Sequence, residues 1–324
     1  MASYLLRRLA LFVPMLFGIT MITFVVANLA PGDPINALIS PEDQLREEDL
    51  ERMRRALGLD RPVPVRYAVW VKELLTGNFG YSYFTKQPVL DRVLPRLLPT
   101  IELTGVALLI SLLVGVGFGV ISALRQYSVW DYTLSVLSLI GLSIPTFFFG
   151  LVALLVFGLL WPVLPVFGMS SGEPDLPLLN KVGDNLRHTL LPAAVLSIDL
   201  VATNTRYART AMLDVLGADY VRTARSKGLD EWVVMGRHAF RNAVLPIITI
   251  TSLRLPLLLG GAVVIEVVFS WPGLGQLSVD AIHQRDYPVL MALTLFLSTL
   301  VLVSNLMADV LYAYADPRIR YDDA

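Results

Sequence analysis

Long apolar runs alternate with short polar segments along the 324-residue chain. Residues 9–29 and 132–160 contain no charged side chain at all. A helix needs about 20 apolar residues to cross a bilayer, because lipid offers its backbone no hydrogen-bond partners. Four other runs have a similar character and carry one or two charges each. The predicted spans are residues 9–29, 100–124, 132–160, 190–205, 245–269 and 289–311.

The composition agrees with lipid as the solvent. Hydrophobic residues make up 55% of the chain and charged residues 16%, with a mean hydropathy of +0.63. In soluble domains, about a quarter of the residues are charged. A cleaved signal peptide is the alternative interpretation of the first run, but the run is too long for one and Asn28-Leu29-Ala30 is a poor cleavage site. The pattern therefore predicts an all-α integral membrane protein.

Composition also excludes several chemistries. The net charge of −1 gives no sign of the basic stripe that nucleic-acid binding requires. With no cysteine in the chain, disulfides, thiolate metal sites and cysteine nucleophiles are excluded. The three histidines, His188, His238 and His283, lack the spacing of a zinc-protease HExxH motif.

The distribution of lysine and arginine predicts the orientation in the membrane. Six spans place both termini on one side, where the tails and short loops hold twelve of these residues, against three in the short loops opposite. Because positively charged loops remain in the cytoplasm, both termini are predicted to be cytoplasmic. The predicted regions are a cytoplasmic N-terminus with the first span (1–30), an external segment (31–99), a transmembrane core (100–312) containing the cytoplasmic loop 206–245, and a cytoplasmic tail (313–324).

The external segment is predicted to contain two short helices. The charged stretch 47–57 ends at Gly58 and the amphipathic stretch 64–75 ends before Gly77, and glycine commonly terminates helices in this way. Four aromatic residues follow, and they fit either a membrane-interface belt or a docking surface for an external partner. These residues are Phe79, Tyr81, Tyr83 and Phe84.

The cytoplasmic loop 206–245 is much longer than a simple chain reversal requires. Its pattern predicts a helix of about two turns with Asp219 as N-cap and Gly228 as the left-handed residue after its end. Cations in the last turn oppose the helix dipole. Thr223 and Ala224 give the helix a small side, which permits close approach of another backbone or groove.

This segment resembles the cytoplasmic coupling motif of bacterial ATP-binding cassette (ABC) importer permeases, roughly EAA, three residues, Gly, and then Leu-Pro. Here the motif is Arg222-Thr223-Ala224, three residues, Gly228, and finally Leu245-Pro246. The first two residues and the longer gap depart from the general pattern and resemble the dipeptide/oligopeptide branch. Three other stretches agree with its B-type subunit, so that the likeness covers nearly the whole chain. They are residues 30–34 (APGDP), 269–275 (FSWPGLG) and 316–321 (DPRIRY).

The resemblance implies the type I ABC importer transmembrane-domain architecture, in the bacterial cytoplasmic (inner) membrane and surrounded by lipid. It implies a pore-forming permease subunit that works with a second, C-type permease, two ABC ATPase subunits and an extracytoplasmic substrate-binding protein. ATP and magnesium are expected on the ATPase subunits and no cofactor on this chain, which has no Gly-Lys dipeptide for a P-loop. The implied solutes are dipeptides or oligopeptides; nickel, sugars or another small solute are the alternatives.

The resemblance also implies which residues contact the ATPase. They are Asp219, Tyr220, Val221, Arg222, Thr223, Ala224, Arg225, Lys227, Gly228 and Leu229.

Polar groups inside the spans are the candidates for a translocation path or gate. Charges in lipid are costly and usually face a cavity or a partner. For Asp199, Arg254 and Glu266, lining of the path and structural pairing both remain open. Pro145, close to Ser143, removes a helix hydrogen bond and predicts a bend that is either a hinge or static.

Two other predictions follow from the spans. The glycines between residues 115 and 119 predict close helix packing and not a nucleotide loop, because no strand precedes them. An intramembrane enzyme and a stand-alone carrier are the competing functions. The first lacks a histidine at mid-span, and the second would favour inverted repeats, which the sequence does not show.

Overall fold

The structure is a computed structural model that describes residues 2–29, 35, 47–56, 58–173 and 177–315. Two of the stretches that carry the resemblance, 30–34 and 316–321, lie outside these residues. The helices are α1 (Ala2–Leu29), α2 (Glu47–Ala56), α3 (Val63–Leu75), α4 (Val89–Ile110), α5 (Val116–Leu124), α6 (Val129–Ser143), α7 (Thr146–Ala153), α8 (Leu178–Leu216), α9 (Asp219–Ser226), α10 (Glu231–Val233), α11 (Arg241–Val268), α12 (Leu274–His283) and α13 (Tyr287–Ala315). Wider π-helical turns at Ser111–Gly115, Leu154–Leu160 and Val234–Phe240 continue α4, α7 and α10.

Five helical stretches in the described residues are long and apolar enough to cross a membrane. A sixth crossing is present if Val129–Ser143 and Thr146–Leu160 together form one broken span. The prediction of about six spans is confirmed. The five unbroken stretches are Leu6–Leu29, Val89–Leu124, Leu178–Leu216, Glu231–Val268 and Tyr287–Leu311.

The broken span differs from the simple bend that the sequence predicts. Its two helices meet at an angle of 103°. Pro145 has no N–H to donate, and it forces the preceding Ile144 into an extended conformation with φ −98° and ψ 129°. The helix therefore stops at Ser143 and starts again at Thr146.

The chain divides into two compact units. Among the described residues, the first combines residues 2–99 with 272–302, and the second combines residues 100–271 with 303–315.

In the first unit, α3 packs against α1, the first span. The Tyr67 hydroxyl of α3 donates to the carbonyl of Phe17 at 3.1 Å and shares a hydrogen bond with the Thr20 hydroxyl at 2.9 Å. The Tyr67 ring also meets the Phe24 ring edge to face, with centroids 5.4 Å apart. The predicted helices 47–57 and 64–75 are confirmed by α2 and α3. Gly58 and Gly77, which follow them, have φ of 65° and 80°.

A buried carboxylate, that of Asp286, joins two segments of this unit that are distant in sequence. Asp286 is fully buried and accepts hydrogen bonds from the Ser82 hydroxyl, from the Tyr83 N–H at 3.0 Å and from Arg92 at 3.1 Å. These contacts join the aromatic stretch 79–84 to the turn before α13. Tyr81 remains 64% exposed on this surface.

In the second unit, α8 is the central helix and packs against α5, α6 and α11. A Cβ atom on Gly115 would lie 2.8 Å from the Val201 carbonyl oxygen, and one on Gly119 would lie 2.5 Å from the Ala208 Cβ. No larger residue fits such a contact without moving a helix. The close packing predicted for this pair of glycines is confirmed.

Candidate coupling site and translocation path

The predicted coupling helix is present as α9, a helix of eight residues. Gly228 follows it with φ +73°, and its N–H donates to the Arg225 carbonyl at 2.9 Å, as expected for a glycine that terminates a helix. The predicted N-cap is wrong by one residue. Ala218 is the N-cap, with φ −73° and ψ 146°, and Asp219 is the first helical residue, where its charge still favours the helix dipole.

One face of α9 packs into the chain's own core. Val221 is fully buried and Ala224 is 5% exposed, and both pack in a cluster with Val234 and Val215. Val215 lies in the last turn of α8, and Val234 opens the π-helical turn that leads into α11. The small side chain of Ala224 therefore allows α9 to pack closely against other helices of the same chain. This differs from the prediction that Ala224 lies on the surface offered to a partner.

An ion pair spans the turn between α9 and α10. Arg225 donates two hydrogen bonds to the Glu231 carboxylate, at 2.7 Å from Nη2 and 3.3 Å from Nε. This hydrogen bonding raises the pKa of the Arg225 guanidinium. Both side chains are exposed, so the pair adds little stability. Its two bonds connect the last turn of α9 to the first residue of α10.

The other face of α9 is exposed. Arg222 makes only a loose pair with Asp219, at 3.5 Å between exposed side chains. Just beyond α9, Trp232 is 88% exposed. The sequence alone did not single out this tryptophan; its place in the first turn of a helix, among charged residues, was the available signal. The remaining exposed residues of this surface are Tyr220, Thr223, Ser226, Lys227, Gly228 and Leu229.

The structure places the three charged candidates for the translocation path in two different environments. Arg254 of α11 lies beside Asp199 of α8, with Nη1 3.4 Å from Oδ2, and both side chains are more than a third exposed. Glu266 is fully buried and accepts a 2.7 Å hydrogen bond from the Thr100 hydroxyl. In this conformation Glu266 lies in the core of its unit, whereas Asp199 and Arg254 reach the surface of the unit.

Next to this pair is a polar cavity of about 320 Å³. It opens beside α8, close to the point where α6 ends before Pro145. Ser143 and Pro145 are themselves exposed. The cavity is lined by Leu142, Thr203, Arg206, Tyr207, Thr210 and Arg254.

Sequence reasoning missed a buried ion pair in this unit. Arg209 of α8 donates to both oxygens of Asp131 in α6, at 2.7 and 2.9 Å. Asp131 also accepts from the Ser122 hydroxyl and from the Tyr127 N–H. These bonds join the ends of α5, α6 and α8. The partners are 78 residues apart, and no spacing rule relates them.

Comparison with known proteins identifies the family to which the chain belongs. Residues 115–321 match the family described as binding-protein-dependent transport system inner membrane component, and residues 1–104 match the family of its N-terminal part. A chain of the MetNI methionine ABC transporter, solved in inward-facing conformations, aligns with a TM-score of 0.56 at 14% identity, over 70% of this chain and 97% of that one. The predicted ABC importer transmembrane fold is confirmed.

The sequence relatives extend over the whole chain. The oligopeptide transport system permease protein AppB of Bacillus subtilis is 43% identical, covering 99% of this chain and all of that protein. The dipeptide transport system permease protein DppB of Escherichia coli is 36% identical, and the di/tripeptide permease DppB of Pseudomonas aeruginosa 40% identical, each covering 99% of both chains. The chain therefore belongs to the family of binding-protein-dependent transport system inner membrane components, the permease subunits of ABC importers, whose ATPase is a separate subunit.

Proposed function

We propose that this chain is the B-type permease subunit of an ATP-driven importer of dipeptides or oligopeptides, with both termini in the cytoplasm. Full-length similarity to relatives named for oligopeptide, dipeptide and di/tripeptide transport supports the peptide solute. Nickel, sugars or another small solute are the alternatives within the same branch. The partners are a C-type permease, two ATPase subunits that hold ATP and magnesium, and an extracytoplasmic substrate-binding protein.

The observation that carries the proposal is the division of α9 into two faces. One face is held in an apolar cluster with the last turn of α8 and the start of the helix leading to α11. The opposite face is exposed and available to an ATPase subunit. A push on the exposed face therefore reaches two membrane spans through close contacts, because packed side chains transmit displacement with little compression.

The same movement would open the path. The spans that α9 contacts carry the Asp199–Arg254 pair, and the polar face of α8 continues from that pair toward the coupling site. Charged groups in spans usually face a water-filled cavity or a partner subunit. The break between Ser143 and Pro145 supplies a hinge in the neighbouring span, where no backbone hydrogen bond has to be broken for the angle to change.

The chain contains no cysteine, so single cysteines report location and contacts without background. Thr223→Cys places a thiol on the exposed face of α9, and Tyr81→Cys places one on the external segment. We expect a membrane-impermeant maleimide to label Tyr81→Cys in intact cells, and Thr223→Cys only after permeabilisation. A thiol-to-amine cross-linker should join Thr223→Cys to an ATP-binding subunit.

The matched control is Gly183→Cys, an exposed position on α8 where a Cβ meets nothing within 4 Å. It should give no cross-link to the ATP-binding subunit. Labelling of Thr223→Cys from outside intact cells would contradict the orientation. Absence of its cross-link in cells that import normally would contradict the coupling assignment.

A further inference from the structure

The polar residues around the cavity beside α8 lie on a single helix face. Thr203, Arg206, Tyr207 and Thr210 follow the three- and four-residue spacing that brings side chains together on a helix, and Asp199 precedes them by one turn. Arg254 closes the cavity from α11. Asp199 and Thr203 lie in the predicted span 190–205, where charged and polar groups usually face a cavity or a partner, and the other three residues lie just beyond its end.

The lining is positively charged. It holds two guanidinium groups, those of Arg206 and Arg254, and no carboxylate. Arg254 is only loosely neutralised, because its 3.4 Å pair with Asp199 is long and partly exposed. In the described part of the chain, no acidic side chain lies within ion-pair distance of Arg206. The cavity therefore attracts an anion.

The Thr203 hydroxyl provides an independent sign of a ligand. Thr203 is 3% exposed, yet its Oγ1 has no hydrogen-bond partner in the structure. Thr205 and Thr210 on the same helix instead donate to the carbonyl four residues earlier, at 2.7 and 3.1 Å. An unsatisfied buried hydroxyl costs about 1–3 kcal/mol, and Thr203 is one of the residues that line the cavity.

We infer that this cavity is a carboxylate-binding site on the translocation path, occupied in passing by the free carboxylate of a small solute such as the C-terminus of a peptide. The inference rests on the proposed function, of which it names the substrate chemistry. Guanidinium groups bind carboxylates through paired N–H donors, and the Thr203 hydroxyl adds a third donor. About 320 Å³ admits one end of a dipeptide.

The loose pair with Asp199 lets Arg254 exchange partners. Arg254 turns from Asp199 to the solute carboxylate when the solute arrives, and returns when it leaves. A transport site must bind weakly enough to release its solute. The internal carboxylate of Asp199 competes for Arg254 and keeps the binding weak.

The test uses the full-length chain in nanodiscs of neutral phosphatidylcholine, with Thr210→Cys as a thiol reporter in the cavity. The reagents are an anionic sulfonatoethyl and a cationic trimethylammonioethyl methanethiosulfonate. We expect the anionic reagent to react about tenfold faster, as in a cleft of one charge sign. Dialanine should slow this reaction, and dialanine amide, which lacks the carboxylate, should not.

Second-site variants and a control reporter complete the experiment. Arg206→Gln in the reporter chain should reduce the anionic preference, and Thr203→Val should weaken the protection by dialanine. Gly183→Cys, on α8 outside the cavity, should show neither effect.

Equal rates for the two reagents, or equal slowing by dialanine and its amide, would overturn the inference. Slowing by phosphatidylglycerol in the nanodisc without slowing by dialanine would also overturn it, since the anion would then be a lipid headgroup. The labelling requires neither ATP nor uptake. Its failure is therefore distinguishable from a failure of the orientation and cross-linking results.

Discussion

Replacing Ala224 by glutamate is expected to abolish solute uptake while the chain remains in the membrane. Ala224 is 5% exposed and packs in the cluster with Val221, Val234 and Val215. An unpaired carboxylate in such a cluster costs several kcal/mol. We therefore expect α9 to detach from the last turn of α8 and from the helix that leads to α11. A detached helix still meets the ATPase but no longer moves the path, and uptake should fall at least about tenfold.

The measurement is uptake and ATP hydrolysis in the same vesicles. Hydrolysis should continue in the Ala224→Glu transporter while uptake stops. Gly183→Glu is the matched control: it adds the same charge at an exposed position of α8 where the side chain meets nothing, and it should transport normally. Normal uptake by the Ala224→Glu transporter would show that α9 does not carry the force.

Replacing Asp131 by alanine is expected to cost about 3–5 kcal/mol of stability, because it leaves the charge of Arg209 without its partner in a largely buried site. The Asp131 side chain is 4% exposed and that of Arg209 is 28% exposed. The carboxylate also organises the ends of α5, α6 and α8, so the loss is not confined to one bond. A lower midpoint of thermal unfolding in detergent, and less protein in the membrane, would report the loss.

Two comparisons isolate the ion pair. Asp214→Ala removes an exposed carboxylate from α8 and should change stability by no more than about 0.5 kcal/mol. The double variant Asp131→Leu with Arg209→Met removes both charges and should be more stable than Asp131→Ala. Equal stability of Asp131→Ala and Asp214→Ala would show that the pair does not hold the three helices together.

Local chemistry made much of this fold predictable from the sequence. Apolar runs of sufficient length predicted the spans, because lipid permits few other structures. Gly58, Gly77 and Gly228 predicted helix ends, because glycine adopts positive φ without a steric cost. Glycines four residues apart predicted a close contact between spans, although not that α8 was the partner.

What the sequence left open depends on tertiary packing. Pro145 predicts a bend, but not a complete break in the helix or its angle of 103°. The composition of α9 does not reveal which face is buried, so Ala224 was expected on the partner side and lies on the inner one. The Asp131–Arg209 pair and the buried Glu266–Thr100 hydrogen bond arise from contacts between distant segments. No periodicity in the sequence records them.

The division of labour between this chain and separate ATPase subunits is tested most directly by uptake in proteoliposomes. Vesicles would contain the chain and its second permease, with the substrate-binding protein on the outer side, and would be prepared with and without the ATPase subunits. With ATP supplied to the cytoplasmic face, we predict accumulation of a dipeptide only when the ATPase subunits are present. Accumulation at a similar rate in vesicles that lack them would contradict the mechanism.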